Sequence, residues 1–192
     1  EKELFSFLGI DKYEWLSVGK NIPAAASGLR LRSRDLLKMG MLLMNNGHWK
    51  NAAVLSQDWV TQSLNPSVKR PSSKDSSAGY AYQMWTCVES VNNRNIAIQE
   101  AKGNGGQRIF ICKSLGLLVV ITAGNYNNWD IKNDSKAVLL KYIIPAIQSN
   151  SLHRSSHQVE SSNNTDSTFT DHFSNNPDSP FNDGSFSNNS SD

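Results

Sequence analysis

A chain of 192 residues with 38% hydrophobic content and a formal net charge of +2 is long enough for one domain and a tail. The charge is uneven: residues 149–192 hold one basic residue against six acids, and 26 of these 44 residues are Ser, Asn or Asp. The remaining residues 1–148 carry 18 basic and 11 acidic side chains, a net +7, with no cluster of five or more Lys/Arg, which gives no support to a nucleic-acid partner, and no apolar run reaches membrane-spanning length.

A segment as polar as residues 149–192 cannot bury enough apolar surface to offset chain entropy, so it is expected to be disordered. The folded portion is expected to be residues 1–148. The first residue is Glu1 rather than Met, and Leu4, Phe5, Phe7 and Leu8 stand at helical spacing before Gly9. This pattern predicts the last turns of a helix begun upstream, stopped by a C-terminal glycine. Asp11 to Ser27 has no period and is expected to be a loop. The small residues Ala24, Ala25, Ala26, Ser27 and Gly28 suit a place where backbone packs on backbone.

Ser33 to Asn46 predicts the clearest helix, with Ser33 as N-cap and Asp35 favourable in the first turn. Leu36, Leu37, Gly40, Met41, Leu43 and Met44 form its expected apolar face. His48 and Trp49 follow in a turn. Ser56 is the expected cap of a short helix ending near Leu64, before Pro66. Residues 66–78 read as an exposed loop. Tyr80 to Val88 and Asn95 to Glu100 read as strands joined through a turn at Asn92-Asn93.

Ile109 to Cys112 and Leu117 to Thr122 are rich in β-branched and aromatic types, which suit a pleated sheet. Leu-Leu-Val-Val-Ile is apolar at every position and predicts a strand buried on both faces. Three glycines, Gly103, Gly105 and Gly106, open the first of these strands; such glycines mark a tight turn, a bulge or a close backbone approach. Asp134 or Ser135 is expected to cap a last helix with Val138, Leu139, Tyr142, Ile143 and Ile147 inward, kinked or ended by Pro145. Consecutive strands joined by short turns are antiparallel, so the fold class is α+β, an antiparallel sheet covered by helices. Cys87 and Cys112 sit in candidate strands as small buried thiols; a disulfide between neighbouring strands stays open.

Read for chemistry, the residues alone offer little. There is no Gly-x-Ser-x-Gly and no phosphate loop. Three of the four histidines lie in the tail, and His48 has no second ligand at metal spacing.

Gly-Asn-Gly-Gly-Gln-Arg-Ile-Phe followed by a Leu-Val-Val strand resembles the C-terminal part of the serine β-lactamase-like hydrolases. That group holds class C β-lactamases, DD-peptidases, related esterases and 6-aminohexanoate-dimer hydrolases. Other pieces agree in order: Leu4-Phe5 with Leu8-Gly9-Ile10, Gly28-Leu29-Arg30, Ser33 to Gly40, Asn46-Gly47-His48-Trp49, Trp59-Val60, and Gly79-Tyr80 with Met84-Trp85. The resemblance implies a β-lactamase/transpeptidase-like fold and an acyl-serine mechanism acting on a small-molecule or peptide-like amide or ester. It implies no cofactor and no metal.

In the family a Ser-x-x-Lys supplies nucleophile and base, a Tyr-x-Asn-like motif assists, and a third motif lies on a sheet strand. By the resemblance, Asn104, Gly105 and Gly106 occupy that third motif and line the substrate. The same resemblance implies that the backbone N–H of Gln107 forms half of the oxyanion hole. Asn104 stands where the family carries a cation or an aromatic residue. Ser17-Val18-Gly19-Lys20 has the nucleophile's letters but lies in an expected loop, and Tyr126-Asn127-Asn128 spells the second motif after the third. The expected function is therefore the C-terminal portion of a serine hydrolase whose nucleophile is not in this chain. The alternative is a non-catalytic binding or scaffold protein on the same fold.

Overall fold

In the computed structural model, residues 2–25, 27–69, 78–128 and 134–149 are described. The expected disordered segment 149–192 lies outside them except for Ser149. Helix α1, Lys2–Phe5, ends earlier than the Leu8 expected from its apolar spacing. The Ile10 N–H donates to the Phe5 carbonyl at 2.8 Å, and Gly9 takes the left-handed φ of +59° that this closure needs.

The expected loop at Asp11 to Ser27 is instead built from short strands: β1 (Tyr13–Trp15), β2 (Ser17–Val18), β3 (Ile22–Pro23), then β4 (Leu29–Leu31). Strands β1 and β4 pair antiparallel, as do β2 and β3. Runs of two or three residues are too short to show a period, which is why the sequence reads as loop. The small residues do meet backbone: Ala24 N–H donates to the Leu16 carbonyl at 2.9 Å, and Leu16 N–H to the Gly28 carbonyl at 3.0 Å. A Cβ on Gly28 would stand 2.7 Å from the Leu16 Cβ.

Helix α2 spans Ser33–Met44, with Arg32 rather than Ser33 at the cap position and no side-chain cap bond. Ser33 is already inside the helix; its Oγ lies 3.4 Å from Thr122 Oγ1. The helix is wedged between two cores, so the one-face expectation misplaces residues. Leu42, left off that face, is buried with Phe5, Leu8 and Ile10, while Met41 is 38% exposed. Leu43 and Met44 pack on the opposite side with Val60, Leu64, Met84 and Ile111. Gly40 has no room for a side chain: a Cβ there would meet Leu118 Cδ1 at 2.6 Å and Ile109 Cγ2 at 3.1 Å. This glycine lets the helix lie against the sheet.

His48–Trp49 (β5) and Ala52–Ala53 (β6) form a small hairpin where a turn was expected. Helix α3, Gln57–Leu64, starts as its sequence predicts: the Ser56 Oγ accepts from the Trp59 N–H at 3.2 Å.

The remaining strands are β7 (Val68–Lys69), β8 (Gly79–Ala81), β9 (Met84–Val91), β10 (Arg94–Lys102), β11 (Arg108–Cys112) and β12 (Leu117–Ile121). Each pairs antiparallel with its neighbour in the chain, giving a six-stranded sheet in the order β12-β11-β10-β9-β8-β7. The expected single strand Tyr80 to Val88 is broken by a tight turn at Tyr82 and Gln83, with φ of 44° and 72°. Asn or Gly usually announces such a turn. Here one long-range contact and one local bond hold it: Tyr82 packs edge-on against Trp59 at 4.8 Å, and Tyr80 OH donates to Gln83 Oε1 at 2.9 Å. The Asn92-Asn93 turn has the expected positive φ values of 50° and 60°.

Alternation along the strands divides the sheet's two faces. Met84, Ala101, Ile109, Ile111 and Leu118 face α2 and α3. Ile96, Ile98, Phe110, Cys112, Val119 and Ile121 face the last helix. Strand β12 is packed on both faces, but it stands at the end of the strand order, and all five of its residues are half-buried rather than fully buried.

That last helix begins as α4 (Asp134–Val138), widens into a π-helical turn at Leu139–Ile143, and resumes over 144–149. Pro145 neither ends nor visibly breaks it. The Ile144 N–H donates five residues back, to the Leu139 carbonyl, and this wider turn relieves the clash a proline ring makes with the carbonyl four residues earlier. The extra residue also shifts the helical phase. Leu139 and Ile144 are buried, whereas Val138 and Tyr142, both expected inward, are exposed. The architecture is α+β, with helices on both faces of an antiparallel sheet.

Candidate active site

Strands β10 and β11 end at the paired residues Lys102 and Arg108, and Gly103 to Gln107 make the turn between them. Gly103 N–H donates to the Gln107 carbonyl at 2.9 Å, and Gly106 N–H to the Gly103 carbonyl at 3.2 Å. Gly106 has a φ of +91°, which a residue with a side chain adopts only under strain.

A buried charge cluster holds this turn from below. Arg108 Nη1 donates to the Gly103 carbonyl at 3.1 Å and to the Gln107 carbonyl at 2.8 Å. Its Nε faces Glu100 Oε2 at 3.9 Å, an ion pair too long to be a hydrogen bond. Glu100 also takes Lys102 Nζ at 2.7 Å on its other oxygen, and Lys102 stands 5.0 Å from the Trp85 ring centre. Glu100 and Arg108 are 2% and 5% exposed. Buried charges persist only when paired, so this cluster fixes the base of the turn.

The carbonyls of Gly105 and Gly106 are held as well. Ser135 Oγ donates to the Gly106 carbonyl at 2.7 Å, and Asn125 N–H to the Gly105 carbonyl at 2.9 Å. Ser135 therefore serves the turn and does not cap its own helix. A trans peptide places each N–H opposite the preceding carbonyl, and no peptide here is cis. The Gln107 N–H thus points away from Ser135, and the Asn104 N–H points away from Arg108. Among the described residues, no backbone carbonyl accepts from either one.

The side chains of the motif are engaged too. Gln107 Oε1 accepts from the Gly105 N–H at 2.9 Å, and its Nε2 donates to the Tyr126 hydroxyl at 2.9 Å. Asn104 Nδ2 donates to Asn127 Oδ1 at 3.1 Å. The structure brings Asn104, Gly105, Gly106 and Gln107 together in one turn and adds Tyr126 and Asn127, which in sequence spell the second motif out of order. The signal for them is topological. β12 runs antiparallel to β11 with Ile121 opposite Arg108, so the residues just past β12 must return beside the turn that opens β11.

Ser17 and Lys20 do not share a helical turn: Ser17 opens β2, and Lys20 lies in the turn before β3. Cys87 and Cys112 are free thiols on β9 and β11 with β10 between them, and two strand spacings exceed a disulfide's reach. Burial pushes the Cys112 thiol up to about 11. Burial also raises Cys87, opposed by Lys136, whose Nζ lies 3.2 Å from the sulfur. Burial acts to lower Lys136, yet its bonds to Glu89 at 2.5 Å and to Cys87 raise it overall. This trio ties α4 to β9.

No protein-family model and no curated protein matches the chain. Solved structures do. A protein assigned as a 6-aminohexanoate-dimer hydrolase from Bacillus anthracis aligns with a TM-score of 0.53 and 20% identity over 83% of this chain and 37% of its own. A protein assigned as a β-lactamase from Bacteroides dorei aligns with a TM-score of 0.50 and 15% identity over 73% of this chain and 50% of its own. The chain spans half or less of the length of these two neighbours. At such identities the likeness is one of fold: the chain has the α+β arrangement of part of a β-lactamase-like hydrolase.

Proposed function

We propose that this chain supplies the oxyanion strand of a serine hydrolase that cleaves amides or esters through an acyl-serine intermediate. The observation that carries the reading is the turn itself: the carbonyls of Gly103, Gly105, Gly106 and Gln107 are all bonded, and the Gln107 N–H points away from the Ser135 hydroxyl that holds the Gly106 carbonyl. In the proposed reaction a serine Oγ bonds to the substrate carbonyl carbon as a base takes its proton. The carbonyl oxygen becomes an oxyanion, and the Gln107 N–H donates to it from a fixed position. Collapse breaks the C–N or C–O bond, and the leaving amine or alcohol takes the proton; water then hydrolyses the acyl-serine. Asn104, Gly105 and Gly106 are assigned to the wall along which the substrate lies. Nucleophile and base are assigned to a part of the protein outside residues 1–148, the portion read as belonging to this domain.

The competing reading is a binding or scaffold role. It is favoured by the side chain at the third-motif position, where Asn104 is bonded to Asn127, while Lys102 and Arg108 are turned to Glu100. A fluorophosphonate probe separates the two. The hydrolase reading expects one labelled serine in the protein that carries this chain, and no labelling of residues 1–192 alone. Labelling at Ser17, or none in the longer protein, rejects it.

A further inference from the structure

We propose that the Gln107 carboxamide and the Tyr126 hydroxyl act together as positioning residues that aim the Gln107 N–H; the inference rests on the acyl-transfer reading above. The resemblance gave Gln107 a role through its backbone alone. Its side chain, however, folds back over its own turn, accepts from the Gly105 N–H at 2.9 Å and donates to Tyr126 OH at 2.9 Å. One carboxamide thereby satisfies a turn amide and links the turn to the segment after β12. Two parallel ties act across the same gap: Asn125 N–H to the Gly105 carbonyl at 2.9 Å, and Asn104 Nδ2 to Asn127 Oδ1 at 3.1 Å.

Glycine supplies the reason for such a brace. A turn with Gly103, Gly105 and Gly106 is free to take many conformations, whereas an oxyanion donor works only if held in place before the charge develops. Arg108 and Ser135 fix the carbonyls of Gly103, Gly106 and Gln107. Gly105 is held at both of its peptide groups, by the Gln107 side chain on its N–H and by the Asn125 N–H on its carbonyl. The brace also fits tightly: a Cβ on Gly105 would stand 2.7 Å from Gln107 Nε2 and 3.1 Å from the Tyr126 ring. Because Nε2 donates to the Tyr126 oxygen, the hydroxyl proton is directed elsewhere, and Tyr126 is 63% exposed.

The test combines amide hydrogen exchange with kinetics in the full protein. In Gln107→Ala the Gly105 amide should exchange at least tenfold faster while the Ile98 amide is unchanged. kcat for an activated ester should fall on the order of 10- to 100-fold with KM little altered, as for a misplaced transition-state donor. Tyr126→Phe removes one exposed hydroxyl and leaves the core intact; it should show the same pattern, smaller in both readouts. Unchanged Gly105 exchange in Gln107→Ala overturns the brace. Faster exchange with an unchanged kcat overturns its role in positioning. A parent protein without any turnover rejects the acyl-transfer reading and the positioning role with it, while the exchange measurement still decides whether the brace exists.

Discussion

Replacing Arg108 by Met removes the positive end of a buried cluster while keeping most of the side-chain volume. Two hydrogen bonds from a charged donor are lost, to the carbonyls of Gly103 and Gln107, and Glu100, 2% exposed, keeps Lys102 as its partner. Removing one partner of a buried ion pair costs about 3–5 kcal/mol. Lys102 limits the damage by retaining one charge contact, so the expected loss lies near the lower end, about 3 kcal/mol. With a urea slope of about 2 kcal/mol/M, the unfolding midpoint should fall by roughly 1.5 M. Glu100→Met in the Arg108→Met background should recover part of this, because a buried pair replaced by apolar groups is often close to neutral. A single Arg108→Met variant that moves the midpoint by less than about 0.5 M would refute the assignment of this cluster as the support of the turn.

Other perturbations act on separate parts of the molecule. Gly105→Ala should lower turnover on the order of tenfold or more by displacing the Gln107–Tyr126 brace, with the melting temperature read alongside. Gly106→Val should be destabilised by about 1–3 kcal/mol through its φ of +91°, and chemical denaturation measures it; its loss of activity is therefore not diagnostic of substrate contact. Ser56→Ala should cost about 1 kcal/mol in the same assay by removing the α3 cap. The Cys112 pKa is raised from 9.0 to about 11, so the folded state holds that proton more tightly. Its contribution to stability is complete below pH 9.0 and is lost as pH rises through about 11. Unfolding midpoints measured across that window should fall less in Cys112→Val than in the parent protein.

The elements most legible in the sequence are those whose signals are local. The Ser56 cap, the Asn92-Asn93 turn and the apolar pattern of β11 and β12 depend on residues within a few positions. What the sequence hides depends on distant partners. The Tyr82-Gln83 turn is packed by Trp59, which no local pattern connects to it, and it has neither Gly nor Asn. The inward face of the last helix cannot be counted from its apolar residues, because the π turn before Pro145 shifts the phase. Leu42 is buried because α2 sits between two cores, a fact of packing rather than of periodicity.

The candidate site divides in the same way. Gly103 to Gln107 stands out as an anomaly in an otherwise strong hairpin, since glycines there cost stability. The support is spread over Glu100, Arg108, Asn125, Tyr126 and Ser135, which no motif links. Arg108 reads as an ordinary strand residue until its guanidinium is seen beneath two carbonyls of the turn.

In the proposed reaction the Gln107 N–H receives the developing charge of acyl transfer. The most direct measurement is a crystal structure of the protein that carries this chain after reaction with a fluorophosphonate. The phosphonylated serine should carry its non-bridging oxygen about 3 Å from the Gln107 nitrogen. An adduct whose oxygen lies away from the Gly103 to Gln107 turn would contradict it.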